Sequence, residues 1–188
     1  ANPFPDTVPA TDVERKVLAI AAAGKDPESF GGVDYTAQLQ SKHVGNQIGD
    51  PTLLNDDIFG VIAIDATNKG ALKAMAQDGL DYFLAHQGAD GGFSYTTTVC
   101  AFCGTDSNDT AAAIIAMYAA ENLGLSNPLL ATSKHKALVY LLSTQKADGG
   151  FGYAAIDLAA ARFRIHELDR TRVIYVVDGR PSPHFGML

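Results

Sequence analysis

Acidic residues stand in two short clusters that could do chemistry, Asp56-Asp57 in "LNDDIF" and Asp106 to Asp109 in "DSNDTA". Each precedes an apolar, alanine-rich run, where an Asp side chain can accept hydrogen bonds from the free N–H groups of a helix start. Asp106, Asn108 and Asp109 also offer several oxygens to Ca²⁺ or another ligand, with Asp56 and Asp57 as a second candidate ligand-binding pair. Because Asn-Asp recurs at both helix starts, capping is the favoured interpretation, and neither a metal nor a cofactor is predicted.

The two cysteines, Cys100 and Cys103 in "VCAFCGTD", allow three interpretations. A zinc site requires four ligands, and no second cysteine pair is present. A redox motif requires a strand-to-helix context that the flanking residues do not provide. A local disulfide is the favoured interpretation, and two free thiols come next.

One nine-residue pattern occurs twice, as "QGADGGFSY" from Gln87 and "QKADGGFGY" from Gln145. Asp-Gly-Gly favours a turn after a helix, since glycine adopts positive φ without strain and Asp bonds the local backbone. The Phe is expected to pin the returning chain onto an apolar layer, and the Gln to bond carbonyls of the turn. The predicted structural residues are Gln87, Asp90, Gly91, Gly92, Phe93, Gln145, Asp148, Gly149, Gly150 and Phe151.

The pattern belongs to a longer repeat of about 45 to 58 residues, to judge from the spacing of Tyr35, Tyr82 and Tyr140. The first copy, "GVDYTAQLQ", continues with "SKHVGNQIGD" instead of Asp-Gly-Gly-Phe. Apolar runs opening at Asp12, Asp56 and Asp109 alternate with these copies. Their alanine content favours buried helices, with Gly24 and Gly124 as helix ends. We therefore expect about three pairs of one buried and one outer helix.

Together, Q-x-x-D-G-G-F and the apolar helices resemble the prenyltransferase and squalene-oxidase repeat, over roughly residues 12–153. The resemblance implies an all-α fold, a partial α/α toroid of about three helical-hairpin repeats with an irregular or short-strand C-terminal tail. It also implies relatives among secreted, transcobalamin-like and terpene-cyclase-like proteins. Such an open arc is expected to self-associate or to contact an adjoining domain.

The family's cyclases carry a D-x-D-D-T-A proton donor, and the matching stretch here has Asn108 at the central position, where an amide cannot donate that proton. The resemblance therefore favours an extracellular, non-catalytic module that binds a small molecule or a surface partner. The alternatives are a terpene-cyclase-like or prenyltransferase-like enzyme and a structural repeat scaffold. An enzyme would have to use Asp56, Asp57, Asp106 or Asp109.

The composition restricts the classes of partner that the chain is expected to bind. Fourteen basic and 21 acidic residues give a net charge of −7. No basic cluster precedes the C-terminal tail, so nucleic-acid binding is not predicted. No apolar run approaches the ~20 residues of a membrane span. The polar, Pro-rich opening "ANPFPDTVPATD" favours a secreted or cell-surface protein.

Three segments follow from the repeat limits: an extension at 1–11, the repeats at 12–153, and a tail at 154–188. In the tail, "AIDLAAARFRIHEL" could supply one more helix, with Asp157 as its cap. "RVIYVVDG" has strand composition. The tail is therefore open to interpretation as a short strand, the start of a different module, or an altered end.

Overall fold

Paired helices dominate the computed structural model, which describes residues 8–67, 70–98, 103–147 and 149–151. Short 3₁₀ turns lie at Phe30–Gly32 and Gly70–Leu72. The α-helices of the described residues are α1 (Ala10–Ala22), α2 (Tyr35–Gln40), α3 (Leu54–Thr67), α4 (Lys73–Ala85), α5 (Ser107–Asn122) and α6 (Leu130–Thr144).

The odd-numbered helices form the centre of the array: α3 packs between α1 and α5. Each carries one even-numbered helix, with α2 on α1, α4 on α3 and α6 on α5, and α4 also touches α5. The alanines of α5 explain its place, because side chains of one carbon let neighbouring helices approach on several sides. Ala113, Ala116 and Ala120 are fully buried there. This pairing positions the starts of α3 and α5 side by side.

The predicted helix ends agree with the structure, whereas the predicted helix starts do not. Gly24 and Gly124 have φ of +69° and +65° just after α1 and α5, which confirms them as helix ends. The predicted caps are wrong at three starts. Asp12 and Asp56 lie inside the first turns of α1 and α3. The α5 cap is Asp106 and not Asp109. Tertiary burial turns Asp56 and Asp109 inward, away from the capping position.

The first repeat replaces the Asp-Gly-Gly-Phe turn with a small hairpin. Strands β1 (His43–Val44) and β2 (Gln47–Ile48) pair antiparallel, with His43 opposite Ile48. The Gly-Asn loop between them is a recognised hairpin signal, and Gly45 has φ +63°. Strand β2 contacts both α3 and α4, and Ile48 is completely buried.

The predicted tail at 154–188 lies outside the described residues, so the extra helix at Asp157 and the strand of "RVIYVVDG" stay predictions. Curvature toward a toroid also stays a prediction. Among the described residues, no helix is long and apolar enough to cross a membrane.

Candidate functional site

The start of α5 holds a pair of carboxyl groups. Asp106 Oδ1 accepts the N–H groups of Asn108 at 2.8 Å and Asp109 at 2.9 Å, which caps the helix. Asp109 itself is buried. Burial, reinforced by the neighbouring Asp106, raises the pKa of Asp109 to about 9, against a backbone hydrogen bond from Tyr95 that lowers it. Asp109 is therefore protonated near neutral pH.

The start of α3 holds a second pair, Asp56 and Asp57, both almost inaccessible to solvent. Asp57 Oδ1 accepts the Ile48 N–H at 2.8 Å, and Asp56 Oδ2 accepts the Asp50 N–H at 2.9 Å. Their other oxygens are buried without a hydrogen-bond partner. Burial raises both pKa values, that of Asp57 to about 8. Asp57 fastens the hairpin to α3, Asp56 holds the backbone that follows the hairpin, and the raised pKa of Asp57 favours its protonated form near neutral pH.

Glu14 of α1 completes this acidic cluster, and sequence reasoning missed it. Its side chain is fully buried, and neither carboxyl oxygen has a hydrogen-bond partner. Burial raises the pKa of Glu14 well above its usual value, and Asp56 and Asp57 add to the effect, while Arg15 opposes it. The available signal was position: Glu14 stands in the helical stripe of Ala10, Val13 and Val17, whose members are all buried.

The starts of α3 and α5 make the same kind of backbone contact, and the backbone at Tyr95 joins the two helix starts. Phe93 N–H donates to Thr110 Oγ1 at 2.9 Å, as Ile48 N–H donates to Asp57. Ile48 therefore takes the place of Phe93 in the first repeat. The Tyr95 carbonyl accepts the Asn55 N–H at 3.3 Å, and the Tyr95 backbone also bonds Asp109. The structure thus brings the predicted residues of both clusters to the same end of the array.

The asparagines at the starts of α3 and α5 also have buried polar atoms without a hydrogen-bond partner. Asn55 and Asn108 each have a buried side-chain oxygen that accepts no hydrogen bond. Asn108 is 4% exposed, so it lies within the array and not on its surface. A buried acceptor without a donor costs about 1–3 kcal/mol, so these two asparagine oxygens reduce the stability of the helix starts.

Burial raises the pKa of Glu14, Asp56, Asp57 and Asp109, so the site favours the protonated form of these carboxyl groups. Within the described ranges, no three His, Cys, Asp or Glu side chains are placed to hold a metal ion. An open depression lies at the opposite ends of α1 and α3, lined by Ala21, Gly24, Lys25, Asp26, Pro27, Ala66 and Thr67. The acidic cluster therefore does not face that depression.

The Asp-Gly-Gly-Phe turn residues tie neighbouring repeats together. Gln87 Nε2 donates to the carbonyls of Gly91 and Ser133, both at 2.9 Å. Asp90 accepts the Gly92 N–H at 3.0 Å and the Thr105 hydroxyl at 2.5 Å. Ser133 lies on α6, so this turn connects the second repeat to the third. These hydrogen bonds give the described turn residues a structural role, that of joining neighbouring repeats.

The third turn and the cysteines are described only in part. Gln145 Nε2 donates to the Gly149 carbonyl at 2.9 Å, while Asp148 lies outside the described residues. Cys103 is disulfide-bonded, and its carbonyl accepts the Ser94 hydroxyl. Cys100 lies outside the described residues, so the predicted Cys100–Cys103 pairing stays a prediction.

Comparison with known proteins gives a different family from the one the repeats resemble. The family model described as tRNA synthetases class I (R), catalytic domain, matches residues 130–188. The arginine–tRNA ligase of Streptomyces coelicolor is 60% identical over 47 residues, which is 25% of this chain and 8% of that protein. That of Marinomonas sp. is 61% identical over 41 residues, 22% of this chain and 7% of that protein.

A third relative, the arginine–tRNA ligase of Cutibacterium acnes, is 57% identical over 44 residues, 23% of this chain and 8% of that protein. The chain thus spans less than a tenth of the length of these curated relatives. No solved structure matches the chain.

These matches overturn the resemblance to the prenyltransferase and squalene-oxidase repeat. The second Asp-Gly-Gly-Phe turn, at 145–153, lies inside the matched residues 130–188. The physical reason is that a glycine at the positive-φ position of a turn, as at Gly91 and Gly149, meets a general requirement of the backbone, so the motif does not identify one family. The transcobalamin-like and terpene-cyclase-like relationships are therefore wrong as well.

The functional expectations drawn from that resemblance are also corrected. The extracellular non-catalytic module is wrong, and the isoprenoid enzyme and the structural scaffold do not fit, since the relatives are ligases that act on tRNA. The predicted secreted or cell-surface location is also wrong, since it disagrees with the arginine–tRNA ligase matches. That prediction rested on a polar, Pro-rich opening, which is only a compositional signal. The exclusion of nucleic acid conflicts with the class I synthetase match.

Proposed function

We propose that the chain is part of an arginine–tRNA ligase-like enzyme, with residues 130–188 contributing to its class I catalytic domain. The observation that carries this proposal is the match of the family model to those residues, joined by identities near 60% to arginine–tRNA ligases. Arginine is the proposed amino acid, and tRNA is the proposed nucleic acid.

The distribution of charge supports a nucleic-acid contact in the matched residues. Residues 130–188 contain eight basic and five acidic side chains, a net charge of +3. Residues 1–129 contain six basic and 16 acidic side chains, a net charge of −10. Because phosphates attract Lys and Arg and repel carboxylates, tRNA is expected to contact the matched residues. The overall charge of −7 conceals this division.

Helix α6 places part of that positive charge on the surface. Lys136 and the neighbouring His135 are exposed on α6, and Lys146 is exposed in the turn that follows the helix. Lys134 is held by Glu121 and lies 4.3 Å above the Tyr118 ring, so it is less free to bind phosphate. The arginines of the segment lie at positions 162, 164, 170, 172 and 180, outside the described residues.

Binding of tRNA to the full chain tests the proposal most directly. Fluorescence anisotropy is measured with labelled tRNA at several salt concentrations, for the unaltered chain and for a variant with Arg162, Arg164, Arg170 and Arg172 changed to Gln. We expect the unaltered chain to bind and the variant to lose most affinity, with a shallower salt dependence. A matched control changes Lys16, Lys25 and Lys42 to Gln and is expected to bind normally.

Arginine attachment tests the reaction itself. The full chain is incubated with labelled arginine, tRNA and ATP, and acid-insoluble label is counted, with labelled lysine as the specificity control. Arginine transfer that exceeds lysine transfer supports the proposal. Absence of tRNA binding at low salt, or equal binding by the arginine variant, would contradict it.

Two further expectations are kept as proposals. The helix pairs 8–151 are proposed to form an arc of an α/α toroid, supported by the side-by-side packing of α1, α3 and α5. Contact of the α1 end of such an arc with a second copy or an adjoining domain is proposed, because an arc of repeats leaves that end open. Small-angle scattering measures the curvature, and light scattering measures the molecular mass.

A further inference from the structure

Apolar side chains are exposed at the end of the array. On α6 they are Leu138, Val139 and Leu142, and on α5 they are Ile115 and Tyr118. We name these five residues the terminal apolar face. Leu142 is 66% exposed, which is unusual for a leucine in a helix that packs on a core. A group of exposed apolar side chains on two neighbouring helices is typical of an interaction surface.

Two leucines of the terminal apolar face have equivalents in the preceding repeat, and those equivalents are buried. "GLDYFLAHQGADGGFSY" aligns with "ALVYLLSTQKADGGFGY", which makes Leu80 equivalent to Leu138 and Leu84 equivalent to Leu142. Leu80 and Leu84 are 0% and 3% exposed. Their helix, α4, packs against α5, the helix that follows it in the chain. In the second repeat these leucines are buried on a helix that packs against α3, β2 and the following helix α5, whereas among the described residues no helix follows α6.

The chain has enough residues to cover the terminal apolar face. In the second repeat, 12 residues separate Phe93 from the α5 cap at Asp106. After Phe151, 37 residues remain. They include the apolar residues Leu158, Phe163 and Ile165. We propose that the segment 152–188 packs on the terminal apolar face, as α5 packs on α4.

A second copy of the chain is the less favourable occupant. Each copy carries a net charge of −7, and two separate copies lose translational and rotational freedom on association, which a tethered segment does not. The segment 152–188 contains five basic and four acidic residues and is tethered to α6 at Phe151. Tethering gives it a high effective concentration at the face, with no association cost. This proposal does not depend on the proposed function.

Limited digestion of the full chain with trypsin tests the proposal, because the segment contains five arginines. Leu142→Glu places a charge in the middle of the face, and Val44→Glu places the same charge on the exposed hairpin as the matched control. We expect Leu142→Glu to speed cleavage at Arg162–Arg180 about tenfold or more, since one leucine's burial is lost. The control is expected to leave the cleavage rate unchanged.

A second measurement keeps the test independent of protease access. Leu142→Cys is made in a chain with Cys100→Ser and Cys103→Ser, and its maleimide labelling is compared with that of Val44→Cys. Slow labelling of position 142 in a chain that light scattering shows to be monomeric supports the proposal. Equal labelling, equal trypsin rates, or protection that disappears on dilution of a dimer would overturn it.

Discussion

The turns at 87–93 and 145–151 have the same local structure and different surroundings. In both, the Gln Nε2 donates to the first Gly-Gly carbonyl at 2.9 Å. Gly91 and Gly149 have φ of +91° and +84°. Among the residues that the structure describes, only the first turn is covered by a following repeat, where the Lys136 backbone lies against Gly91. Local sequence therefore specifies the turn, while its contribution to stability depends on what packs against it.

The comparison extends to the first repeat, where a different sequence reaches the same contact. The hairpin places the Ile48 N–H in a hydrogen bond to Asp57, and the Asp-Gly-Gly-Phe turn places the Phe93 N–H in a hydrogen bond to Thr110. The acceptor is a carboxyl in one case and a hydroxyl in the other. Because only the carboxyl titrates, the first repeat alone should depend on pH through this contact.

The largest expected effect is this dependence on pH. An unfolded Asp has a pKa near 3.9, and folding raises the pKa of Asp57 to about 8. Between about pH 4 and pH 8 the folded chain retains a proton that the unfolded chain releases, so the free energy of unfolding falls as pH rises. The loss approaches 5 kcal/mol in order of magnitude, at about 1.4 kcal/mol per pKa unit.

Urea unfolding at pH 5 to 9 measures this loss. Asp57→Asn removes the titrating group, so its stability is expected to fall less over that range. Asp12→Asn is the control, since Asp12 is about half-exposed. Equal pH dependence in the unaltered chain and in Asp57→Asn would show that Asp57 does not hold its proton.

Removal of the two turn phenylalanines should show the next largest effect. Phe93 is fully buried and meets Phe83 edge-on, with ring centroids 5.9 Å apart, whereas Phe151 is half-buried. Phe93→Ala is expected to lower the free energy of unfolding by about 3–5 kcal/mol. Phe151→Ala should cost about 1 kcal/mol, as its burial is incomplete. Urea unfolding of both variants checks the difference, and equal losses would contradict the comparison.

Alanine in place of the positive-φ glycines separates backbone strain from packing. A Cβ on Gly91 would lie 2.7 Å from the Lys136 carbonyl oxygen, whereas a Cβ on Gly149 meets nothing within 4 Å. Gly149→Ala should cost about 1 kcal/mol from positive φ alone. Gly91→Ala should cost roughly 2–3 kcal/mol, because backbone must also move. Thermal unfolding measures both, and a smaller loss for Gly91→Ala would show that α6 shifts freely.

The smallest effects are expected for the two glutamines. Gln87 donates a hydrogen bond to the Ser133 carbonyl of the next repeat in addition to the one within its own turn. Gln145 is exposed and donates a hydrogen bond within its own turn. Gln87→Ala should cost about 1–2 kcal/mol, since a part-buried carbonyl loses its donor. Gln145→Ala should cost less than about 0.5 kcal/mol. Urea unfolding resolves these values, and a large loss for Gln145→Ala would indicate that its turn is covered.

Sequence by itself determined the local structure of this protein. Alanine-rich runs, Asp-Gly-Gly turns and the glycines after α1 and α5 act over a few residues, so their backbone preferences can be read without the rest of the chain. The acidic clusters at the starts of α3 and α5 were visible for the same reason. Family did not follow from these features, because short turn and cap motifs serve unrelated proteins.

Only the tertiary structure decided which of these groups are buried. Glu14 is acidic in sequence and joins Asp56 and Asp57 only because α1 packs on α3. Ile48 replaces Phe93 only because the hairpin reaches α3 and α4. Leu80 and Leu138 are equivalent in sequence, yet one is buried and the other 38% exposed. Burial depends on segments distant along the chain, and both apolar packing and proton affinity depend on burial.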